Sequence, residues 1–296
     1  MSRRHRAGHA AIVGRPNVGK STLLNALVGA KVAIVTPKPQ TTRTRILGIR
    51  TLADAQVVFV DTPGLHEARS RLNRRMVEVA RQALAEADAI LFVVDATAGV
   101  TPVDRKIAAN LAAVPTTTIV VLTKRDRVRP AALLPIMDTL GRLLPGRDVL
   151  PVSAVTAENL DALLEVVVQA LPAGEALYPE EHYTTGTERF LAQEIVREQL
   201  FLQTEDEVPY GTAVEIEEFS ERTEKGLVVI RATVLVDRES HRPIIIGAGG
   251  RRLREIGQRA RLALEELLGT KVFLDLHVKA EPGWAENPRR LRELGL

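Results

Sequence analysis

The sequence predicts an α/β domain with a mostly parallel sheet, followed by a smaller α+β domain. Three observations support this. The chain has 296 residues, enough for two domains of ordinary size. From residue 9 to about 171, short β-rich runs alternate with helical patterns, which is the signature of βαβ units. Beyond residue 186 the order changes to helix, strand, strand, short helix, long helix, strand, which no βαβ repeat produces.

In the first domain, strands are expected at 10–13, 45–52, 56–61, 89–95, 117–123 and 149–152. Most are continuous apolar runs, as required when helices cover both faces of a sheet. Leu23, Leu24, Leu27 and Val28 form a helical stripe that stops at Gly29, a residue suited to the left-handed position after a helix. Leu160, Leu163, Leu164 and Val167 repeat the stripe before Pro172. Residues 172–186 hold two prolines and two glycines without periodicity and read as a linker, so the domains are placed at 1–171 and 187–296.

In the second domain, helices are expected at 188–202 and 251–268 and strands at 211–219, 227–236 and 272–278. The last strand alternates, with Val272, Leu274, Leu276 and Val278 on one face and Phe273, Asp275 and His277 on the other.

Composition excludes some chemistries. The chain has no cysteine, hence no disulfide, thiolate metal site or cysteine nucleophile, and it suits a cytoplasmic setting. The basic start leads into an apolar run too short for a secretion signal, and no run approaches the roughly 18 apolar residues of a membrane span. Net charge is only +3 although the pI is about 9.3, so any basic binding face must be located residue by residue.

Gly14, Arg15, Pro16, Asn17, Val18, Gly19, Lys20 and Ser21 match G-x-x-x-x-G-K-[ST] between a strand and a helix. Glycines let backbone N–H groups approach phosphate oxygens, and the helix points its positive end at them. Lys20 places a charge against the β- and γ-phosphates, and the Ser21 hydroxyl can ligate Mg²⁺. Asp61, Thr62, Pro63 and Gly64 follow the strand at 56–61. There Asp61 can hold Mg²⁺ through a water and the Gly64 amide can sense the γ-phosphate. Thr123, Lys124, Arg125 and Asp126 end a further strand. The Asp126 carboxylate can accept from guanine N1–H and its exocyclic amine, a pairing adenine cannot make. Ser153 and Ala154 supply a small loop for the guanine carbonyl.

GRPNVGKS, DTPG, TKRD and SA, in that order, resemble the successive motifs of translation-factor-class GTPases. The segment from Pro37 to Arg43 (PKPQTTR) and the sequence DTPGLH resemble the Era family more narrowly. The resemblance implies that Gln40, Thr41, Thr42 and Arg43 belong to a switch, with Thr42, ahead of Thr41, completing the Mg²⁺ shell. One departure is Thr123, where many members carry an asparagine that helps bridge base and phosphate loop. Leu65 also stands where Ras-like enzymes place a water-orienting glutamine, so the attacking water needs another guide. K⁺ held near Asn17 is one hypothesis; a loop-stabilising role for Asn17 is the other.

Gly247, Ala248, Gly249 and Gly250 contain G-x-x-G between two helical segments. With the surrounding α-β-β-α-α-β order they resemble a type II KH domain, a module that clamps the backbone of single-stranded nucleic acid. Arg251 and Arg252 follow the turn, and Ile244 and Ile246 are candidates for the wall of a base-reading groove. Ala248 stands where the Era family commonly has a basic residue, which leaves Arg251 or Arg252 to compensate. The resemblance covers nearly the whole chain. It implies GTP hydrolysis, binding to the 3′ end of 16S rRNA rather than DNA, and a role in 30S subunit assembly. Two alternatives remain, a nucleotide-sensing RNA-binding module with little turnover and a GTPase held peripherally at the inner membrane face.

Overall fold

A computed structural model describes residues 5–64, 70–222, 224 and 226–296. They form two compact units. The first draws on residues 1–33, 42–68 and 74–185, the second on 34–41, 69–73 and 186–296. The units therefore do not follow a single cut along the chain.

The first unit is a six-stranded sheet in the order β2-β3-β1-β4-β5-β6. Its strands are β1 (Arg6–Val13), β2 (Ile46–Leu52), β3 (Ala55–Asp61), β4 (Ala89–Asp95), β5 (Thr117–Thr123) and β6 (Val149–Pro151). All neighbours pair in parallel except β2 with β3. Helices α1 (Lys20–Val28), α2 (Arg71–Ala85), α3 (Pro102–Ala112), α4 (Pro130–Leu143) and α5 (Leu160–Ala170) occur in the intervals between and after the strands. Residues 89–95 of β4 are buried throughout, which explains their unbroken apolar run. Parallel order brings the C-terminal ends of β1, β3, β4 and β5 to one rim of the sheet, where ligands of open α/β sheets bind.

Residues 172–185 read as a linker in composition, yet they lie along this sheet. Ile49 N donates to Tyr183 O at 2.8 Å, and the Thr184 hydroxyl donates to Leu47 O at 2.7 Å. The buried Gln56 amide donates to Tyr178 O and accepts from the Leu177 and Tyr178 N–H groups. The segment thereby covers the outer edge of β2, which would otherwise expose unpaired backbone. On the segment's own side every partner but the Thr184 hydroxyl is a backbone group, so no side-chain periodicity marks it.

The second unit packs α6 (Glu188–Gln203) and α8 (Arg251–Leu268) against β7 (Thr212–Arg222), β8 (Leu227–Val236) and β9 (Lys271–Ala280). β8 runs antiparallel to β7 and parallel to β9. Ile195, Val196 and Leu200 of α6 meet Ile256, Ala260 and Leu264 of α8 over Ile230, Ala232 and Val234, all buried. Each large aliphatic side chain so buried contributes roughly 1.5–3 kcal/mol. Along β9, Val272, Leu274, Leu276 and Val278 face this core while Phe273 remains 51% exposed.

A short helix, α7 (His241–Ile246), leads into the glycine turn, and α9 (Pro288–Glu293) is the last helix of the unit. Asn287 caps α9 by accepting from the N–H groups of Arg289 and Arg290, and Arg290 reaches the carboxylates of Glu215 and Glu281. Six residues are too few for a helical period to show in sequence. Residues 34–41 also belong to this unit: Lys38 Nζ donates to the C-terminal carbonyls of Phe201 and Thr204, and Val35 N donates to Glu198. No helix among the described residues is long and apolar enough to cross a membrane.

Candidate functional site

At the rim of the first sheet, β1 ends in the loop from Gly14 to Gly19 and α1 begins at Lys20. Lys20 is buried, and its Nζ donates to Gly14 O at 3.3 Å and Arg15 O at 3.1 Å, so the ammonium lies within the loop. Burial lowers its pKa to about 8, with Asp61 opposing the shift and Arg15 adding to it. Anionic phosphate in the loop would restore the charge that burial disfavours.

Beside the loop, three oxygen-bearing side chains converge. Ser21 Oγ lies 2.6 Å from Asp61 Oδ2 and 2.9 Å from Thr42 Oγ1, and Thr42 Oγ1 lies 3.3 Å from Asp61 Oδ2. Burial pushes the Asp61 carboxyl up, while Lys20, Ser21 and Thr42 pull it down. Its Oδ1 is buried without a hydrogen-bond partner among the described residues. An orphaned carboxylate oxygen next to two hydroxyls is a hard-oxygen donor set of the kind Mg²⁺ takes. Thr41 points elsewhere: its hydroxyl is engaged with Thr36 Oγ1 and Lys38 O in the 36–41 turn. Gln40, in the same turn, has a left-handed backbone, and Arg43 is buried.

Thr62 donates to Ile12 O at 2.9 Å, which ties the segment after β3 to β1. Gly64 lies against the phosphate loop, where a Cβ would sit 2.8 Å from Pro16 N and 2.9 Å from its Cγ. Only glycine allows that approach. Pro63 is buried between Thr62 and Gly64, and Leu65 lies outside the described residues.

A cavity of about 120 Å³ opens next to the loop, lined by Gly19, Thr22, Thr123, Lys124, Asp126 and Ala154 among others. Ser153 Oγ donates to Asp126 Oδ1 at 2.7 Å and so orients the carboxylate. The Thr123 hydroxyl lies 2.6 Å from Val18 O and 3.1 Å from Val94 O. With one proton it can donate to only one of them, and the shorter contact reaches the phosphate loop. Thr123 thus ties the end of β5 to the phosphate loop through its hydroxyl. Lys124 Nζ donates to Asn17 O at 3.0 Å. Arg125 is directed away from the cavity, toward Glu158 and Val128 O. Asn17 is exposed and has a left-handed backbone. Thr22 also lines the cavity, and its sequence position one past the motif gives no hint of that.

In the second unit, the turn between α7 and α8 holds Gly247, Gly249 and Gly250 with positive φ. At Gly247 a Cβ would also lie 2.8 Å from Arg252 Cβ. Ala248 and Gly249 are exposed, as is Ile244 (41%); Ile246 is half-buried and Ile245 belongs to the core. Arg251 is exposed. Arg252 donates to Ile244 O at 2.6 Å, and Arg254 donates to Gly249 O at 2.8 Å, so these two guanidinium groups brace the turn itself.

Comparison with known proteins finds matches in both units. Residues 9–124 match the family model described as 50S ribosome-binding GTPase, and residues 207–285 match the KH domain model. GTPase Era of Geobacter metallireducens is 47% identical over 290 residues, covering 98% of this chain and 97% of that protein. Among solved structures, an Aquifex aeolicus Era variant bound to GDP and aluminium fluoride superposes with a TM-score of 0.94 at 44% identity, covering 98% of this chain and 99% of the other. An Era in complex with MgGDPNP and nucleotides 1506–1542 of 16S ribosomal RNA gives 0.95 at 45% identity, with the same coverage. With relatives 44–47% identical over 98% of its length and matching GTPase and KH domain models, the chain belongs to the Era family of GTPases.

Proposed function

We propose that this GTPase is a Mg²⁺-dependent switch whose second unit binds the 3′ end of 16S rRNA and which acts in assembly of the 30S subunit. The observation that carries the nucleotide half is the convergence of Ser21, Thr42 and Asp61 beside Lys20, with Asp61 Oδ1 lacking a hydrogen-bond partner among the described residues. Ser21 and Thr42 would hold the Mg²⁺ directly and Asp61 through a water. The bound ion would offset charge on the β- and γ-phosphate oxygens. Thr42 is favoured over Thr41 because the Thr41 hydroxyl is engaged within its own turn.

The chain's own groups account for selectivity. Lys20 neutralises phosphate charge, Asp126 pairs with the guanine edge, and Gly64 carries its amide against the phosphate loop, where loss of the γ-phosphate is felt. K⁺ held near Asn17 would supply the positive charge that an arginine finger brings in other GTPases. Turnover several-fold faster in KCl than in NaCl is expected, and equal rates would remove this part of the reading.

The RNA half is supported by the α7–turn–α8 geometry and by the similarity to an Era structure that holds 16S rRNA nucleotides. Glycines at the turn admit a phosphate backbone closely, and Arg251 adds charge beside it. Crosslinking in cells followed by RNA sequencing tests it. Reads should concentrate at the 3′ end of 16S rRNA, and a distribution without that peak would contradict the assignment.

A further inference from the structure

The Asp95 carboxylate joins three parts of the nucleotide site that are far apart in sequence. Asp95 closes β4 and is only 5% exposed. Its Oδ1 accepts from Thr97 N at 2.9 Å and Thr97 Oγ1 at 2.6 Å, which fixes the carboxylate to its own loop. Its Oδ2 faces two cations. Lys124 Nζ lies at 2.6 Å and Arg15 Nη2 at 3.9 Å. The same Lys124 ammonium donates to Asn17 O, and Arg15 Nε lies 3.4 Å from the buried Asp104. Burial pushes the Asp95 carboxyl up, but hydrogen bonds from Lys124 and Thr97, with the Lys124 charge, hold it below the usual carboxylate range.

We propose that Asp95 is a positioning residue for guanine-nucleotide binding, acting through Lys124 to hold the guanine pocket against the phosphate loop. Lys124 has a left-handed backbone (φ 58°), so its stem leaves the strand end in an unusual direction and needs an anchor at its tip. Asp95 supplies that anchor, and the same oxygen also lies within ion-pair reach of Arg15. Nothing in the motif pattern marks it, because it stands alone at the end of a strand. The inference rests on the assignment of Lys124 and Asp126 to the guanine site.

Asp95→Asn keeps the shape and removes the charge. Kd for GTP and for GDP should both rise, roughly ten- to a hundred-fold, the usual loss for one charge-assisted hydrogen bond. KM should rise with them while kcat stays within about threefold, because Lys124 serves the base rather than the reacting phosphate. The discriminating measurement is a double-mutant cycle. In a Lys124→Ala background, Asp95→Asn should cost less than about twofold in Kd, since its target is gone. Thermal unfolding of the nucleotide-free variants checks that they fold; if Asp95→Asn does not, Asp95→Glu is read in the same cycle. Additive losses, or a fall in kcat at unchanged KM, would overturn the inference. Asp126→Asn serves as a separate control. If it left the preference for GTP over XTP intact, the guanine assignment would fail and the inference with it. A shifted preference together with additive losses would sink the inference alone.

Discussion

The proposed preference for guanine rests on one carboxylate, that of Asp126. Its Oδ1 is oriented by Ser153, and its neighbours Lys124 and Thr123 both reach back to phosphate-loop carbonyls. Exchanging the carboxylate for an amide reverses part of the pattern offered to the purine. Asp126→Asn should therefore move preference from GTP toward XTP, read by competition binding, and unchanged GTP preference would remove Asp126 from its role. The hydroxyl of Thr123 is open to a similar test. Thr123→Val keeps the volume but leaves the buried Val18 carbonyl without its 2.6 Å donor. An unsatisfied buried acceptor costs about 1–3 kcal/mol, so GDP affinity should fall by roughly five-fold or more. An unchanged Kd would show that Thr123 does not bridge the loop.

At the scale of elements, the glycine turn between α7 and α8 is the part most sensitive to a single methyl. Gly247 has φ +71°, and a Cβ there would meet Arg252 Cβ at 2.8 Å and Arg252 N at 3.0 Å. Gly247→Ala should destabilise the second unit by roughly 1–3 kcal/mol, detectable by urea unfolding followed through Trp284, whose indole is buried against Gly211 O. No change in midpoint would mean that the turn relaxes without cost. Elements whose signal is local were legible in the sequence. The motif loops are set by short-range backbone requirements, and the stripe Ile256, Ala260, Leu264 of α8 follows helical period because one face meets a core. Elements defined by distant partners were not legible. Residues 172–185 gain their order from the edge of β2, residues 34–41 from α6, and α9 from the acidic groups that Arg290 finds on β7 and in the loop before the helix. The candidate site divides the same way. Asp126 and Ser21 announce themselves by spacing, whereas Asp95 matters only through what the fold sets beside it.

For the molecule as a whole, charge is placed rather than accumulated. Lys and Arg total 40 against 37 Asp and Glu, yet Arg251, Arg252, Arg254 and Arg259 gather on the first two turns and a little beyond of one helix. Some of that charge braces the glycine turn, and Arg251 stays exposed beside it. With guanine-nucleotide chemistry in one unit and RNA binding in the other, a substitution in one should spare the other's basal property. Gly249→Asp tests this most directly. Its backbone (φ 58°) is one that aspartate tolerates, and a Cβ there meets nothing within 4 Å, so the variant should fold. The measurement pairs its affinity for an RNA of the 16S 3′ end with its GTP turnover in the absence of RNA. RNA affinity should drop by at least about ten-fold, because a carboxylate now faces phosphate, while basal turnover is unchanged. Undiminished RNA affinity with intact turnover would contradict the central claim.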